Sequence, residues 1–438
     1  MSNVVGETQG LRRTLRLRDL ILYGIILIQP TAPMPVFGVL YDKSHGFVTA
    51  TILLAMVAML LTAISYGRMA GAYPHGGSAF LYVGKEIHPG LGYLTGWCLV
   101  MDYILNPLIY TIWCSSAAMN FVPHVPYAAW AVFFSMLFTV LNCNGIETSA
   151  RINVVMSVVL GLVIVWILVA TVRWLRLLTP PTAATFLDPL YNPATFRTGA
   201  VLRGTATAVL TYIGFDGIST LTDEARHPER NVPRAILITC LVTGLLASLE
   251  VYSAQLVWPR GKVFPDINTA YVYVSGLLGG PALFIVVNAA LLLASIGSGM
   301  ASQLGAARLL YAMGMEGALP RRIFAELDQK NRIPQKNVLL IGVLCLIGAM
   351  FFSFSLGADL LNFGALVAFI GVNISCALRA YRQVRRNWLI IATSLAGSAT
   401  CALLWWNLDP KAKLVGSLWA SLGVVLWIVR RPRSLTTH

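Results

Sequence analysis

Long stretches of continuous apolar residues, separated by short polar segments, dominate the chain. They do not alternate apolar and polar residues, so the pattern favours helices over a membrane β-barrel. A helix needs about 20 apolar residues to cross a bilayer. The pattern therefore predicts an all-α integral membrane protein with twelve transmembrane helices, at residues 20–42, 47–72, 91–118, 125–144, 151–175, 201–225, 234–258, 279–313, 337–356, 358–382, 388–407 and 412–430.

Composition and charge support a membrane protein and set its orientation. Of 438 residues, 57% are apolar and 11% are charged, whereas soluble domains have about a quarter charged. This excludes an ordinary soluble enzyme, a disordered chain and a nucleic-acid module. Of the 32 Lys and Arg residues, 23 lie on the side of the two termini and nine on the other side. The positive-inside rule therefore predicts that both termini are cytoplasmic.

The cysteines and histidines indicate no metal site, cofactor or disulfide framework. The seven cysteines are spread singly, with no CxxC spacing, and the six histidines form no cluster. The Arg-rich start leads into an apolar run too long for a signal peptide. We expect the first helix to remain as an anchor in the cell (inner) membrane. The predicted loops 73–90 and 314–336 are either a cytoplasmic gate or surfaces that face lipid headgroups.

Two predicted helices contain sequences that a continuous helix does not tolerate. Helix 1 carries Pro30, Pro33 and Pro35, each of which lacks an N–H and clashes with the preceding turn. Helix 6 carries Gly214-Phe215-Asp216-Gly217. Both sequences lie near mid-membrane, where broken backbone survives only beside a polar cavity or inside protein. Matched breaks in helices 1 and 6 are typical of secondary transporters with inverted repeats. The alternative is a pair of kinks without a site.

Asp102 lies near the centre of predicted helix 3, about 16 Å from its start. Asn106 and Tyr110 follow at successive turns and share its face. A carboxylate at this depth costs several kcal/mol unless it is paired, hydrated or protonated. We find no Lys or Arg at matching depth, so we expect an amine substrate or a proton as its partner. The alternative is a carboxyl that is hydrogen-bonded to a neighbouring helix.

Further polar residues inside the apolar helices are candidates for coupling and gating. Asp216, in the helix 6 break, is interpreted as a proton-coupling group, with helix breaking as the alternative. Ser295 and Ser298 in helix 8 are candidate sodium ligands, although hydroxyls there more often allow close packing. Glu250, in the outer half of helix 7, is interpreted as a gate residue. The alternative for Glu250 is a water-facing position in an outer vestibule.

Short sequences along almost the whole chain resemble the amino acid–polyamine–organocation superfamily, and within it the putrescine importers of enteric bacteria. The sequences that carry this resemblance are Gln29-Pro30, Phe37-Gly38, Ala63-Ile64-Ser65-Tyr66-Gly67, Gly76-Gly77-Ser78-Ala79, Gly96-Trp97, Asp102-Tyr103, Gly214-Phe215-Asp216-Gly217-Ile218-Ser219, Glu224, Val232-Pro233-Arg234, Ser298-Gly299-Met300-Ala301, Ala307-Arg308-Leu309 and Asn362-Phe363-Gly364-Ala365.

The resemblance implies a LeuT-type fold, in which helices 1–5 and 6–10 are inverted repeats. The domains would be a cytoplasmic segment 1–19, a transport core 20–382, and helices 11–12 with the C-terminus at 383–438. It also implies import of an amine or amino acid, coupled to protons or sodium. The site residues that follow from the resemblance and from Asp102 are Gln29, Pro30, Thr31, Ala32, Asp102, Tyr103, Asn106, Tyr212, Phe215, Asp216 and Gly217 for substrate, with Glu224 and Glu250 as gates.

The chain departs from the putrescine importers at three positions. Those proteins carry Asp where this chain has Pro35, Glu where it has Thr269, and a small residue where it has Glu250. Because a diamine has two charges to neutralise, a monoamine or amino acid is an alternative substrate. The three prolines of helix 1 remove N–H donors that would hold a substrate carboxylate. The second functional group of the substrate therefore stays open.

Four classes of function remain to be compared. The first is a secondary active importer of an amine-bearing small molecule, coupled to protons. A variant of this class is a sodium-coupled symporter of amino acids. The second is an amine-binding receptor that resembles a transporter but does not transport. A membrane enzyme would need a catalytic cluster, and we find no Ser–His–Asp, HExxH or DDxxD pattern. A channel would need a symmetric oligomer. The sequence indicates no obligate protein partner.

Overall fold

The computed structural model describes residues 14–29, 31–73, 78–145, 150–177, 182–259, 261–315, 319–328 and 333–429. In these ranges the chain forms sixteen α-helices and two 3-10 segments, 209–212 and 215–221. The helices are α1 Leu17–Ile28, α2 Pro33–Ser44, α3 Val48–Ala72, α4 Ala79–Glu86, α5 Pro89–Met119, α6 Tyr127–Cys143, α7 Ala150–Leu177, α8 Ala183–Leu187, α9 Thr198–Ala208, α10 Pro228–Val257, α11 Ala270–Met315, α12 Arg321–Phe324, α13 Gln335–Phe351, α14 Phe354–Arg382, α15 Trp388–Trp406 and α16 Pro410–Val429.

Eight helices in the described ranges are long and apolar enough to cross a membrane, or nine if α1 and α2 form one bent span. These two helices meet at an angle of 54°. Two further helices, α6 and α13, are apolar but have only 17 residues each. Helices satisfy all their backbone hydrogen bonds internally, which is the requirement for a segment surrounded by lipid. The prediction of a multi-helical membrane protein is confirmed at this level.

The largest departures from the predicted helix boundaries are in helices 6 and 8. Helix 6 does not run from 201 to 225, because α9 ends at Ala208 and tighter 3-10 backbone follows on both sides of Gly214. Gly214 has φ of 123°, which favours glycine. Helix 8 does not begin at residue 279, because α11 starts at Ala270 and is kinked at Gly279 and Gly280, before Pro281. Gly280 has φ of 68° at this kink.

The two cytoplasmic loops of the prediction contain helices. Residues Ala79–Glu86 form α4, whose first turn is capped by Ser78, since its hydroxyl accepts a hydrogen bond from the Leu81 N–H at 3.4 Å. Residues Arg321–Phe324 form the short helix α12. Part of each loop, including residues 74–77 and 329–332, lies outside the described residues.

The most buried spans are α14 and α5. In their apolar 18-residue stretches, 78% and 72% are buried inside the protein, against 28% for α15 and 17% for α16. α5 packs against α14 and α11, and α10 packs along α3. Small residues allow the closest approaches. A Cβ on Gly364 of α14 would lie 2.4 Å from the Cys98 carbonyl oxygen of α5. Such contacts are typical of helices packed within a membrane.

Candidate functional site

The first break separates α1 from α2 at the predicted position. Gln29 ends α1 with φ of 61° and ψ of 118°, and its N–H donates to the Ile25 carbonyl at 3.1 Å. The Ala32 N–H then donates to the Gln29 carbonyl at 3.0 Å before α2 begins at Pro33. Thr31 is buried, with 2% exposure. Pro30, a predicted substrate residue, lies outside the described residues.

The second break centres on Gly214 and Asp216. The Gly214 N–H donates to Oδ1 of Asp216 at 3.2 Å, and the Ser219 hydroxyl donates to the Asp216 carbonyl at 2.6 Å. The Asp216 side chain therefore closes a local turn, as a helix-breaking residue would. Backbone N–H groups of Asp216 and Gly217 also donate to this carboxylate, so the local turn supplies several donors to it.

The two breaks pack directly on each other. A Cβ on Gly214 would lie 3.3 Å from the Leu27 carbonyl oxygen, and one on Gly217 would lie 2.4 Å from Cδ2 of Leu27. One turn earlier, a Cβ on Gly24 would lie 2.5 Å from Cδ1 of Ile218. The end of α1 therefore depends on glycines of the second break for its position, and the two interrupted segments form one continuous region.

Asp102 lies in the middle of α5 and is buried, with 7% exposure. Among the described residues, its Oδ1 atom has no hydrogen-bond partner. The alternative of a carboxyl satisfied by a neighbouring helix is therefore not met at this atom. Pro107, inside α5, cannot donate to the carbonyl of Tyr103 four residues earlier. The Tyr103 carbonyl therefore lacks its usual helical donor and can accept a hydrogen bond from another group.

Asp216 interacts electrostatically with several groups from other helices. They are Asp102 and Tyr103 of α5, Tyr66 of α3 and Tyr82 of α4. Two carboxylates in one region attract a cation or a proton more strongly than one does. The structure thus brings Asp102 and Asp216 into electrostatic contact, which the sequence did not predict.

Tyr66 is a candidate site residue that the sequence analysis did not select. It is buried at 1% exposure, and its hydroxyl has no hydrogen-bond partner among the described residues. A buried hydroxyl without a partner is unusual and costs free energy. The sequence feature that could have identified Tyr66 is its position in the Ala63–Gly67 sequence, which carries the family resemblance. Tyr66 and Asp216 are far apart in the sequence, so the sequence alone did not indicate that they are close in space.

The two aromatic residues predicted to enclose the substrate are both fully buried. The Tyr212 hydroxyl donates to the Ile52 carbonyl of α3 at 2.9 Å. The Phe215 ring lies 5.6 Å from the Tyr66 ring and 5.4 Å from the Phe369 ring, between centroids. Phe215 therefore belongs to an aromatic cluster with Tyr66 and Phe369.

A polar contact connects the first break to α11 and α5. The Gln29 side-chain amide donates to the Ser298 hydroxyl, and Tyr110 is hydrogen-bonded to the same serine. Ser295 is buried at 4% exposure one turn earlier. Asn106 is half-buried on α5, and Tyr103 is 48% exposed. The predicted shared face of Asp102, Asn106 and Tyr110 therefore extends to Gln29 through Ser298.

The two predicted gate residues lie in different elements, Glu224 after the second break and Glu250 within α10. The Glu224 carbonyl accepts a hydrogen bond from the Leu15 N–H at 3.0 Å, and the Arg226 N–H donates to the Leu15 carbonyl at 2.8 Å. This bridge ties the residues before α1 to the end of the second break. Glu250 of α10 has 1% exposure, so the alternative of a water-facing position is wrong in this conformation.

The described residues contain no group of three His, Cys, Asp or Glu side chains that could hold a metal ion. No disulfide joins the seven cysteines, all of which lie in the described ranges, and six of them are buried. The chemistry of the region therefore rests on the two carboxylates, the tyrosine hydroxyls and the backbone groups at the breaks.

The family model for amino acid permeases matches residues 39–407, and the chain belongs to this family. The chain is 30% identical to the low-affinity putrescine importer PlaP of Escherichia coli K12, over 95% of this chain and 93% of that protein. It is 24% identical to the methylthioribose transporter of Bacillus subtilis, over 97% and 94%. It is 25% identical to the branched-chain amino acid permease BcaP of Lactococcus lactis, over 95% and 94%.

These comparisons confirm the resemblance to permeases of the amino acid–polyamine–organocation superfamily that include a putrescine importer. The relatives are membrane transport proteins, and they support transport of amino acids or amines. The names of the relatives cover a diamine, a thiosugar and branched-chain amino acids. The names of these relatives therefore do not determine the substrate of this chain.

Proposed function

We propose that the protein is a secondary active transporter that imports an amine-bearing small molecule, an amino acid or a polyamine such as putrescine, by alternating access. The observation that carries this proposal is the buried Asp102 carboxylate, whose Oδ1 atom has no partner among the described residues. A protein that binds and releases a cation needs such a group, because a permanent partner would occupy the site. Membership of the permease family supports the same function.

The proposed architecture has twelve crossings in a LeuT-type arrangement, with both termini in the cytoplasm and the protein in the inner membrane. The eight long helices, the bent pair α1–α2, the short α6 and α13, and the interrupted segment from α9 to residue 221 correspond to these crossings. The transport core would be residues 20–382. Helices α15 and α16, in the proposed unit 383–438, are the least buried of the long spans, which supports their position outside this core.

In the proposed site, Asp102 pairs with the substrate amine. The backbone of Gln29, Pro30, Thr31 and Ala32, together with Gly217, provides polar groups at the breaks, and Tyr103, Asn106, Tyr212 and Phe215 complete the walls. Pro35 and Thr269 stand where putrescine importers carry carboxylates, and Thr269 is buried at 1% exposure. A substrate with one amine therefore fits this set of residues as well as a diamine.

Asp216 is the proposed proton-coupling residue. It interacts electrostatically with Asp102, so protonation of one carboxyl lowers the repulsion that the other experiences. Protonation of Asp216 would then favour an ionised Asp102, which is the form that can pair with the amine. The alternative is sodium coupling through Ser295 and Ser298, and the second of these accepts a hydrogen bond from Gln29. A receptor that binds amines without transport is the other alternative, and enzymatic activity is not part of the proposal.

The test is uptake of labelled amines and amino acids into proteoliposomes, with a pH gradient and a sodium gradient imposed separately. Acid-outside conditions should drive accumulation in the parent protein. Asp216→Asn should retain substrate exchange while losing the pH drive. Accumulation that follows sodium alone would move the coupling site to Ser295 and Ser298. Binding without any uptake would leave the receptor alternative.

A further inference from the structure

Glu250 is a second buried carboxyl that the proposed substrate site does not use. It has 1% exposure, and neither Oε1 nor Oε2 has a hydrogen-bond partner among the described residues. The nearby hydroxyls of Ser253 and Tyr271 both donate to the backbone carbonyl of Glu250, at 2.7 and 3.2 Å. An ionised carboxylate without partners costs several kcal/mol in such surroundings. A proton on Glu250 would remove this cost.

The elements packed against α10 offer no ionic partner to this carboxyl within the described residues. Tyr271 of α11 interacts electrostatically with it. The other charged or titratable side chains of the packed elements include Arg18, Asp19 and Tyr23 on α1; Tyr41, Asp42 and Lys43 on α2; Tyr66 and Arg68 on α3; Arg173 and Arg176 on α7; Tyr212 and Asp216 in the 3-10 segments; and Tyr273, Arg308 and Tyr311 on α11.

Tyr271 connects Glu250 to an aromatic cluster, which we call the outer seal and which consists of Phe37, Tyr41, Phe264 and Tyr271. Phe37 lies 5.5 Å from Tyr271 and 6.0 Å from Phe264, and Tyr41 lies 5.2 Å from Phe264, between ring centroids. These rings join α2 to the segment before α11 and to its first turn.

The outer seal is closed by direct backbone contact. A Cβ on Gly38 of α2 would lie 2.0 Å from the Ile267 carbonyl oxygen, so no water fits between these two segments. Separation of α2 from residues 264–271 is therefore needed before solvent can reach the Tyr271 side of the seal.

A cavity of about 470 Å³ lies on the other face of the outer seal. Gly38, Tyr41, Phe264 and Ile267 form part of its wall, and its lining also includes Asp42, His45, Arg197 and Lys262. The same residues thus face the cavity and connect, through Phe37 and Tyr271, to Glu250. Opening of the seal would bring water from this cavity to the buried carboxyl.

We propose that Glu250 is a proton-binding lock for the outer seal, protonated when the seal is closed and ionised when the seal opens to the cavity. On opening, the carboxyl releases one proton to the outer solution, and on closing it takes one proton back from that solution. The lock rests on the proposed transport by alternating access, but it carries no net proton across the membrane. It therefore differs from the coupling assigned to Asp216.

The direction of the pH effect follows from this exchange. The closed state binds one more proton than the open state, so the closed state is favoured at low pH and the open state at high pH. For a single proton, the ratio of open to closed protein changes by at most about tenfold per pH unit.

The test measures access to Thr269, which lies between Ile267 of the cavity wall and Tyr271 of the seal and is 1% exposed. Thr269→Cys is made in the full chain with the seven native cysteines replaced, and is labelled with a membrane-impermeant maleimide. Val263→Cys is the matched control, because Val263 lines the same cavity and is 84% exposed. Dividing the two labelling rates removes the pH dependence of the thiol reaction itself.

The labelling ratio of Thr269→Cys to Val263→Cys should rise at least fivefold from pH 6 to pH 8. Glu250→Gln, which mimics the protonated form, should hold the ratio at its low value at both pH values, and Glu250→Asp should restore a rise. Glu326→Gln, at an exposed carboxyl, should leave the rise unchanged. Size-exclusion profiles identify variants that do not fold, and Glu250→Met provides a second neutral replacement.

A ratio that does not change with pH in the parent, or that rises equally in Glu250→Gln, overturns the lock. These outcomes are distinct from failure of the proposed function. If uptake does not occur but the ratio still depends on pH through Glu250, the lock stands and the transport proposal fails. If the pH gradient drives uptake but the labelling ratio is the same in the parent and in Glu250→Gln, only the lock fails.

Discussion

Four deeply buried carboxylates fall into two pairs, one at the ends of helices and one in their interior. At the ends, Glu86 accepts from Arg379 at 2.8 Å and from the Tyr73 hydroxyl at 2.7 Å, and Asp359 accepts from Lys43 at 2.6 Å. In the interior, neither carboxylate oxygen of Glu250 has a hydrogen-bond partner among the described residues. The Oδ1 atom of Asp102 has none there either.

The difference separates structural charges from candidate functional ones. Asp359 receives further hydrogen bonds, from the Thr207 hydroxyl at 2.7 Å and the Asp409 N–H at 3.2 Å. These partners compensate for the lost hydration and fix α2, α9 and α14 relative to one another. Within the described residues the interior pair has no comparable set of donors, which is why we propose that a cation or proton binds there and leaves again. Substitutions in the two pairs, and in the contacts beside the candidate site, test this distinction.

The largest effect is expected at the structural pair. Lys43→Met removes the cation from Asp359 and leaves a carboxylate with 1% side-chain exposure. The free energy of unfolding should fall by about 3 kcal/mol, because one member of a buried pair is left uncompensated. Thermal denaturation in detergent measures this change. Lys336→Met is the matched control, since its pair with Glu326 is more than half exposed and should contribute less than about 1 kcal/mol.

Asp102→Asn should behave in the opposite way, with little change in stability and a large loss of substrate affinity. A desolvated ion pair is worth roughly 2–5 kcal/mol when one partner is truncated. Affinity should therefore fall by at least about thirtyfold. Equilibrium binding of the labelled substrate is the measurement, with Glu326→Gln as a surface control. Unchanged affinity would remove Asp102 from the site, and a large loss of stability would place it with the structural carboxylates.

A smaller effect is expected where the first break meets α11. Gln29→Ala and Ser298→Ala each remove the hydrogen bond between these side chains, which is worth about 1 kcal/mol. Each variant should raise the half-saturation concentration for uptake by about fivefold. The double variant should be no worse than either single one, because both remove the same contact. Fully additive losses would show that the two residues act independently.

The smallest effect is expected for Tyr212→Phe. The change removes only the hydroxyl that donates to the Ile52 carbonyl, so stability should fall by about 1 kcal/mol. The ring remains, and the half-saturation concentration should stay the same if the ring face, which attracts ammonium groups, is what contacts the substrate. Tyr212→Ala then raises the half-saturation concentration in protein that still folds. Normal uptake by the alanine variant would make Tyr212 a core residue.

Much of the helical pattern could be predicted because its causes are local. The prolines of helix 1 exclude a continuous helix whatever surrounds them, and α1 does end just before Pro30. The extent of the second break could not be predicted in the same way. Residues 209–212 and 215–221 adopt 3-10 backbone where Leu27 lies against Gly214 and Gly217, and that contact joins residues far apart in the chain.

The candidate site shows the same division. The depth of Asp102 follows from counting residues along one helix, so the sequence identifies it. The roles of Glu86 and Asp359 as paired carboxylates depend on cations from other helices, and the sequence analysis did not select either residue. Tyr66 was missed for the same reason, because its proximity to Asp216 and Phe215 exists only after α3 and the second break have packed together.

By itself, the sequence determined the class of protein, the helices with apolar runs, the two interruptions and the carboxylate in the middle of α5. These properties depend on the chemistry of neighbouring residues and on the free energy of transferring them into lipid. Only the tertiary structure decided which carboxylates are neutralised. Glu250 and Asp359 each have 1% exposure, yet Lys43 reaches only Asp359. Whether a buried charge has a partner depends on contacts between distant helices, and no local pattern of residues encodes them.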